Sequence, residues 1–185
     1  DDGPSLPTAS QTILVTVTNV IDLSTFIFTA AGATGSHGPT QEQVDAAYAG
    51  TDLSGLVTVN TQGIQEWIVP FTGDFAIQAM GGQGGANGGS GASISGEFSF
   101  LEGDTISILV GQQGTTKSSI GGGGGGSFVV KGDRASGVLL IAAGGGGGAD
   151  NGTSSSQQHG RSDTTGGQAT DNRRFSNLPG SNGSA

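Results

Sequence analysis

The segment Val110–Ser118 is the part of the chain that comes nearest to a ligand-binding motif. It reads Val-Gly-Gln-Gln-Gly-Thr-Thr-Lys-Ser and follows a strand-like stretch, so it nearly matches a phosphate-binding loop. Such a loop needs a glycine directly before its lysine, and a following helix whose amide groups face the phosphate. Here Thr116 precedes the lysine, and Ile120 and a run of glycines follow it. We therefore do not expect nucleotide binding.

Catalytic residue types are few and occur without a supporting pattern. The chain has no cysteine and two histidines, His37 and His159, which excludes a cysteine nucleophile and a multi-histidine metal site. No serine lies in a nucleophile-elbow motif, and no two carboxylates stand out as an acid–base pair. The sequence predicts that the protein is not an enzyme and carries no cofactor.

Two kinds of polar motif remain as weaker candidates. The segment Val15–Asp22 resembles the last strand of a bacterial cadherin-like repeat, and this resemblance implies Asn19 and Asp22 as calcium ligands; the alternative is an ordinary strand and turn. Asn151 and Asn182 each begin an N-glycosylation triplet. They would act as acceptors only in a eukaryotic source, and such triplets also arise by chance in Gly/Ser/Asn-rich sequence.

Charge and hydropathy narrow the range of partners. The net charge is −9, and all six basic residues follow residue 116, whereas eleven of the fifteen acidic residues precede it. This acidic first part argues against nucleic acid or an anionic membrane as the partner. No window approaches 18 apolar residues, so no membrane insertion is expected.

Glycine is the dominant feature, with 38 residues in 185. Three tracts contain the glycines that we predict to be structural, and each tract adjoins an apolar, strand-like stretch. They are Gly81, Gly82, Gly84, Gly85, Gly88, Gly89 and Gly91; Gly121, Gly122, Gly123, Gly124, Gly125 and Gly126; and Gly144, Gly145, Gly146, Gly147 and Gly148. A flexible linker would instead lie between domains and be rich in serine.

Ordered polyglycine has a specific physical requirement. In the extended helix with three residues per turn, the backbone has no internal hydrogen bonds and must find partners outside itself. Ordering a residue costs about 1–2 kcal/mol, whereas a hydrogen bond returns about 1 kcal/mol net. A single tract should therefore be disordered, and several tracts become ordered only when strands hold them together. Three flexible loops are the alternative.

The elements that would hold the tracts are mainly strands. Alternating apolar residues predict strands at 12–18, 25–29, 55–60, 64–69, 74–80, 92–100, 105–110, 127–130 and 138–143. One helix is expected after Pro39, where Thr40 and Gln43 fit a capping box, Val44 and Tyr48 share an apolar face and Gly50 ends the helix. Trp67 is assigned to the core. The fold class is mainly β, a β-sandwich or jelly-roll-like domain with one short helix and packed polyglycine II helices.

Composition also suggests boundaries along the chain. Residues 1–22 read as a linker and a cadherin-like terminal strand, and residues 23–148 as a glycine-rich β domain. Residues 149–185 form a polar Gly/Ser/Asn-rich tail with two large apolar residues, Phe175 and Leu178. The tail is a long loop or a segment that a partner orders, and it could be a truncated remainder of the domain.

Four segments carry a family resemblance: Phe28–Gln41, Ile64–Pro70, Ile108–Gly114 and Leu140–Gly148. They resemble, in the same order, the extracellular glycine-rich domain of the anaplastic lymphoma kinase and leukocyte tyrosine kinase receptors and of related bacterial surface proteins. The resemblance implies a β framework with a bundle of polyglycine helices. The receptors have a cysteine pair where this chain has Ala31 and Val44. No kinase is present, so signalling does not follow from the fold.

These observations favour a non-enzymatic extracellular structural or adhesion module of a large surface protein. Its expected partners are other copies of itself or neighbouring domains of the same precursor, with no nucleic acid. One alternative is a subunit of an extracellular fibre, assembled by inter-chain strand or glycine-helix completion through the strand at 12–20, because three tracts are few for a closed bundle. A receptor-type protein-ligand-binding domain is the second alternative.

Overall fold

The computed structural model describes residues 12–17, 24–150 and 159–161, and these residues are mainly β with one short helix. The elements are β1 (Thr12–Val17), β2 (Thr25–Thr29), α1 (Gln41–Tyr48), β3 (Val57–Thr61), β4 (Ile64–Ile68), β5 (Gly73–Met80), β6 (Ser93–Phe100), β7 (Thr105–Leu109), β8 (Thr116–Lys117), β9 (Ile120–Gly121), β10 (Ser127–Lys131) and β11 (Val138–Ala143). Every strand except β8 and β9 lies within two residues of a predicted one.

Two antiparallel sheets share one hydrophobic core. The first sheet has the order β2-β1-β5-β6 and the second the order β11-β10-β7-β4-β3, while β8 and β9 form a separate two-stranded pair. Several strand residues that face the space between the sheets are buried, such as Phe75 and Ile77 of β5 and Ile106 and Ile108 of β7. The inward faces of both sheets supply the side chains of this core.

Strand β1 has a different place from the one that the sequence suggested. We assigned residues 1–22 to a segment before the domain, but β1 lies inside the first sheet and pairs with β2 on one side and β5 on the other. Ile13 and Val15 point into the common core and are buried. Because both edges of β1 are paired within the chain, residues 12–17 present no free edge for addition to another chain's sheet in this structure.

Trp67 joins the two sheets at the centre of the core. Its side chain is fully buried on β4, in the second sheet. The ring centroid lies 4.9 Å from that of Phe26 and 5.8 Å from that of Phe28, both on β2, and 5.9 Å from that of Phe75 on β5. Tilted and edge-on aromatic pairs at these distances are favourable beyond the area that they bury. The predicted core role of Trp67 is confirmed.

Helix α1 closes one side of the two sheets. The predicted capping box is present: the Thr40 hydroxyl accepts from the Gln43 backbone N–H, and the Gln43 side chain accepts from the Thr40 N–H. Val44 and Tyr48 are buried, so the apolar face of the helix packs as the periodicity predicted. Gly50, which follows the helix, has φ +75°, a conformation that favours glycine.

The described chain continues past the predicted domain boundary at residue 148. Ala149 is buried and Asp150 forms a bridge with Ile120, so both residues belong to the folded unit. In the part of the chain that the structure describes, no helix has the length and hydropathy needed to cross a membrane.

Candidate functional site

The glycine tracts lie together as extensions of the two sheets. Five extended segments take part: segment I (81–85) follows β5, segment II (88–92) precedes β6, segment III (111–115) follows β7, segment IV (121–126) precedes β10 and segment V (144–149) follows β11. Because neighbouring strands run antiparallel, the last residue of one strand lies beside the first residue of its neighbour, at the same end of the sheet. The strand order therefore delivers all five segments to one end of the molecule.

Hydrogen bonds between segments I and IV repeat every three residues. The N–H of Gly82 donates to the carbonyl of Gly125, and the N–H of Gly85 donates to that of Gly122, both at 2.8 Å. Residues three apart on segment I thus face the same neighbour, which is the period of an extended helix with three residues per turn.

Five further pairs of segments have two bonds each at the same three-residue spacing, and segments I and III share one bond. Segment I donates to segment II, accepts from segment V and also bonds to segment III, so it lies at the centre of the group. In each pair that follows, the N–H of the first residue donates to the carbonyl of the second, at 2.8–3.1 Å. The pairs are Gly81 to Ala92, Gly84 to Gly89, Gly146 to Gly82, Ala149 to Gly85, Gly114 to Gln83, Gly122 to Thr115, Gly125 to Gln112, Gly121 to Ala149, Gly124 to Gly146, Gly89 to Gly147 and Ala92 to Gly144. We call this set of five hydrogen-bonded segments the glycine bundle.

Close backbone approach explains why these positions are glycine. No glycine of the bundle lies in the left-handed φ region, so conformational freedom is not what requires glycine here. A Cβ at Gly124 would stand less than 3.0 Å from the carbonyl oxygen of Gly82, closer than real Cβ contacts occur. At Gly123 the nearest atom is 3.6 Å away, and at Gly144 nothing lies within 4 Å. The bundle is therefore tight inside and open on part of its surface.

Ser127 ties the base of the bundle to both sheets. Its buried hydroxyl donates to the carbonyl of Met80, where β5 ends, at 2.6 Å and accepts the N–H of Gly111 at 2.9 Å. Segments I and III thus start from one shared hydroxyl on β10. The role of Ser127 was not predicted, because a serine at the start of a strand carries no signal of a contact 47 residues away in the chain.

A second polar cluster links helix α1 to both sheets. The Tyr48 hydroxyl donates to the Gln65 side-chain oxygen at 2.5 Å and accepts the N–H of Thr29 at 2.9 Å. The Gln65 amide in turn donates to the Thr29 carbonyl at 2.8 Å. Tyr48 and Gln65 are both buried, and burial raises the pKa of Tyr48 above its ordinary value. Sequence reasoning gave Tyr48 a packing role alone.

The other sequence candidates differ in whether the structure describes them. The possible calcium ligands Asn19 and Asp22 and the glycosylation candidates Asn151 and Asn182 lie outside the described residues. Within the described residues, no three His, Cys, Asp or Glu side chains come together as a metal site would require. The phosphate-loop-like segment supplies segment III and then strand β8, which turns back into β9.

The described residues form a mainly β structure that includes the glycine bundle, and comparison with known proteins gives a partial match. No family model matches the chain. The chain is 39% identical over 99 residues to the leukocyte tyrosine kinase receptor of Mus musculus. The match covers 48% of this chain and 11% of the receptor. The chain is thus similar to a small part of that receptor.

Proposed function

We propose that this chain is a non-enzymatic extracellular module with a structural or adhesive role, built around a bundle of polyglycine II helices. The observation that carries the proposal is the hydrogen bonding of segments I–V, which links separate segments at a three-residue spacing. An enzyme needs a cleft with converging reactive groups. In the glycine bundle, the backbone N–H and carbonyl groups bond instead to neighbouring segments. The similarity to a cell-surface receptor supports an extracellular place.

The polyglycine II assignment makes a geometric prediction. Its backbone angles should cluster near φ −75° and ψ +145°, with N–H groups bonded to different neighbours in turn. A high-resolution crystal structure tests this directly. Strand-like angles with two-residue hydrogen-bond spacing in segments IV and V would contradict the assignment.

The proposed role is tested on the natural surface protein that contains this chain. Gly124→Ala disrupts the bundle, and the neighbouring Gly123→Ala is its matched control because its Cβ has room. We expect Gly124→Ala to reduce cell attachment or surface integrity as much as deletion of the whole module, and Gly123→Ala to behave as wild type. Normal attachment after deletion of the module would contradict a structural or adhesive role.

Self-assembly is a second candidate, favoured by strand β11. Among the described residues β11 pairs on one side alone, with β10. Val138 is 65% exposed and Leu139 is 56% exposed, and the strand contains no charged residue or proline. Natural proteins usually protect such an edge. Pairing of β11 with the same strand of a second copy would close a dimer, whereas pairing with a different edge would propagate a fibre.

A further inference from the structure

Residues 159–161 lie against segment II of the glycine bundle. The N–H of Gly160 donates to the carbonyl of Ser90 at 2.7 Å, and the N–H of Ser90 donates to Nδ1 of His159 at 2.8 Å. Both backbone groups of Ser90 are thus engaged by one dipeptide, as a neighbouring strand would engage them.

Gly160 fits this place because it has no side chain. A Cβ at position 160 would overlap the backbone nitrogen of Ala92 and approach the carbonyl oxygen of Gly144. Gly160 therefore occupies the seam between segments II and V as another close-packed glycine. This contact joins two parts of the chain 69 residues apart.

The hydrogen bond from Ser90 depends on the protonation of His159. A neutral imidazole has one nitrogen that accepts, whereas the imidazolium carries N–H on both nitrogens. Protonation of Nδ1 would set a donor against the Ser90 N–H and remove the bond. Segments II and V carry no titratable side chain. The charged residues of the described chain that adjoin these parts in sequence are Arg161, next to Gly160, and Asp150, directly after segment V.

We propose that His159 and Gly160 form a proton-sensitive clasp on the glycine bundle. The clasp is closed when the imidazole is neutral and Nδ1 accepts from Ser90, and it opens when Nδ1 carries a proton. Opening releases Gly160 from the seam and leaves the backbone of Ser90 to solvent. The clasp is independent of any adhesive role.

Amide hydrogen exchange of Ser90 measures the state of the clasp. The exchange rate in the folded protein is measured by nuclear magnetic resonance from pH 5.5 to 7.5. Protection is the intrinsic exchange rate at each pH divided by this measured rate. One net hydrogen bond corresponds to a change of about threefold to tenfold in protection. We expect the protection of Ser90 to fall by that factor toward pH 5.5, while Gly82 and Gly85 stay protected.

Three variants separate the clasp from other effects of pH. His159→Asn places a non-titrating oxygen near the position of Nδ1, so protection should persist at every pH. His159→Ala should lower protection at every pH. The matched control is His37→Asn, which changes the other of the two histidines and should leave the pH dependence of Ser90 intact.

Several results would overturn the clasp. They are equal protection of Ser90 at both ends of the range, a pH dependence that disappears in His37→Asn, and parallel loss of protection at Gly82 and Gly85. Gly160→Ala should open the clasp at all pH values because its Cβ does not fit; full protection in that variant would also contradict the proposal. Dimers that persist at low concentration, with Ser90 protected only in the dimer, would assign the contact to a second copy instead.

Discussion

Among single residues, Tyr48 shows how one polar atom can hold three elements together. Its hydroxyl lies between Gln65 on the second sheet and Thr29 on the first, and its ring packs edge-on to Phe28 at 6.3 Å. Hydrogen bonds of this kind contribute modestly when they form, but an orphaned buried partner is costly. Loss of the hydroxyl would therefore leave the Gln65 oxygen and the Thr29 N–H without this partner.

Removal of that hydroxyl should destabilise the fold without disturbing its packing. We expect Tyr48→Phe to lower the free energy of unfolding by about 1–3 kcal/mol, because the Gln65 oxygen and the Thr29 N–H lose their partner. Urea unfolding of both proteins at neutral pH measures the difference. A double-mutant cycle with Gln65→Leu should give a coupling energy above about 0.5 kcal/mol; independent, additive effects would contradict the cluster.

The same hydroxyl should make stability depend on alkaline pH. Burial raises the pKa of Tyr48 in the folded state, so the neutral phenol is favoured in the fold and this stabilisation is complete below the unfolded value of about 10. It is lost as the pH rises through the folded pKa, because ionisation then pulls the protein toward the unfolded state. Phenolate absorbance reports this group alone, since the chain has one tyrosine.

The matched comparison for this pH effect is Tyr48→Phe. Its unfolding free energy should decline less steeply above pH 10 than that of the wild type. Equal alkaline slopes in the two proteins, or phenolate formation in the folded protein at the ordinary pKa, would show that the hydroxyl is not held in a buried cluster.

The core position of Tyr48 could be predicted from the sequence, but its hydroxyl contacts could not. The spacing of Val44 and Tyr48 fixes which face of α1 is buried. The partners of the hydroxyl lie 17 and 19 residues away in the chain, and nothing local marks them. The position of the glycine tracts beside strands predicted a structural role for them, whereas the segments that each tract contacts follow from the strand order.

Among the elements, helix α1 protects the edge of the second sheet. Strand β3 lies at this edge, and the Gln41 side chain of α1 donates to the carbonyl of Val57 at 3.1 Å and accepts the N–H of Val59 at 2.6 Å. The side-chain amide thus takes the place of one residue of an added strand. This is one way in which proteins protect sheet edges from other chains.

Loss of this edge cover should have two measurable effects. We expect Gln41→Ala to reduce the free energy of unfolding by about 1–3 kcal/mol, because two backbone groups of β3 lose their partners. Self-association on size-exclusion chromatography should rise as the edge is exposed. Glu42→Ala, on the exposed side of the same helix, is the control. Equal stability of Gln41→Ala and Glu42→Ala would contradict a role for Gln41 in edge protection.

The strands were predictable because period-two alternation reports which face is buried. The place of β1 was not, since its partner β5 lies about sixty residues later in the chain and no local pattern encodes that pairing. The β8–β9 pair was also missed. Its turn places Ser118 and Ser119 at φ +49° and +68°, positions where glycine, asparagine or aspartate would have been the usual signal.

For the whole molecule, the two edge strands of the second sheet, β3 and β11, differ in how they are covered. Helix α1 covers the side with β3, whereas β11 on the other side presents exposed apolar residues. If the chain assembles through β11, a charge there should prevent it. We expect Leu139→Lys to abolish concentration-dependent association in analytical ultracentrifugation while leaving the unfolding free energy within about 0.5 kcal/mol.

The control for this test is Leu101→Lys, at a 63% exposed leucine outside the strands. Its association should match that of the wild type. A wild-type protein that stays monomeric at all concentrations would remove the fibre alternative, and equal association of both lysine variants with the wild type would place the contact away from β11.

The most direct test of the central claim compares alanine at two neighbouring glycines of segment IV. If the bundle is a close-packed structural member, Gly124→Ala should lower the free energy of unfolding by about 2–4 kcal/mol, because its Cβ meets the carbonyl of Gly82. Gly123→Ala should leave stability unchanged or raise it by up to about 1 kcal/mol, since its Cβ has room and alanine restricts the unfolded chain. Equal effects of the two substitutions in urea unfolding would contradict the account.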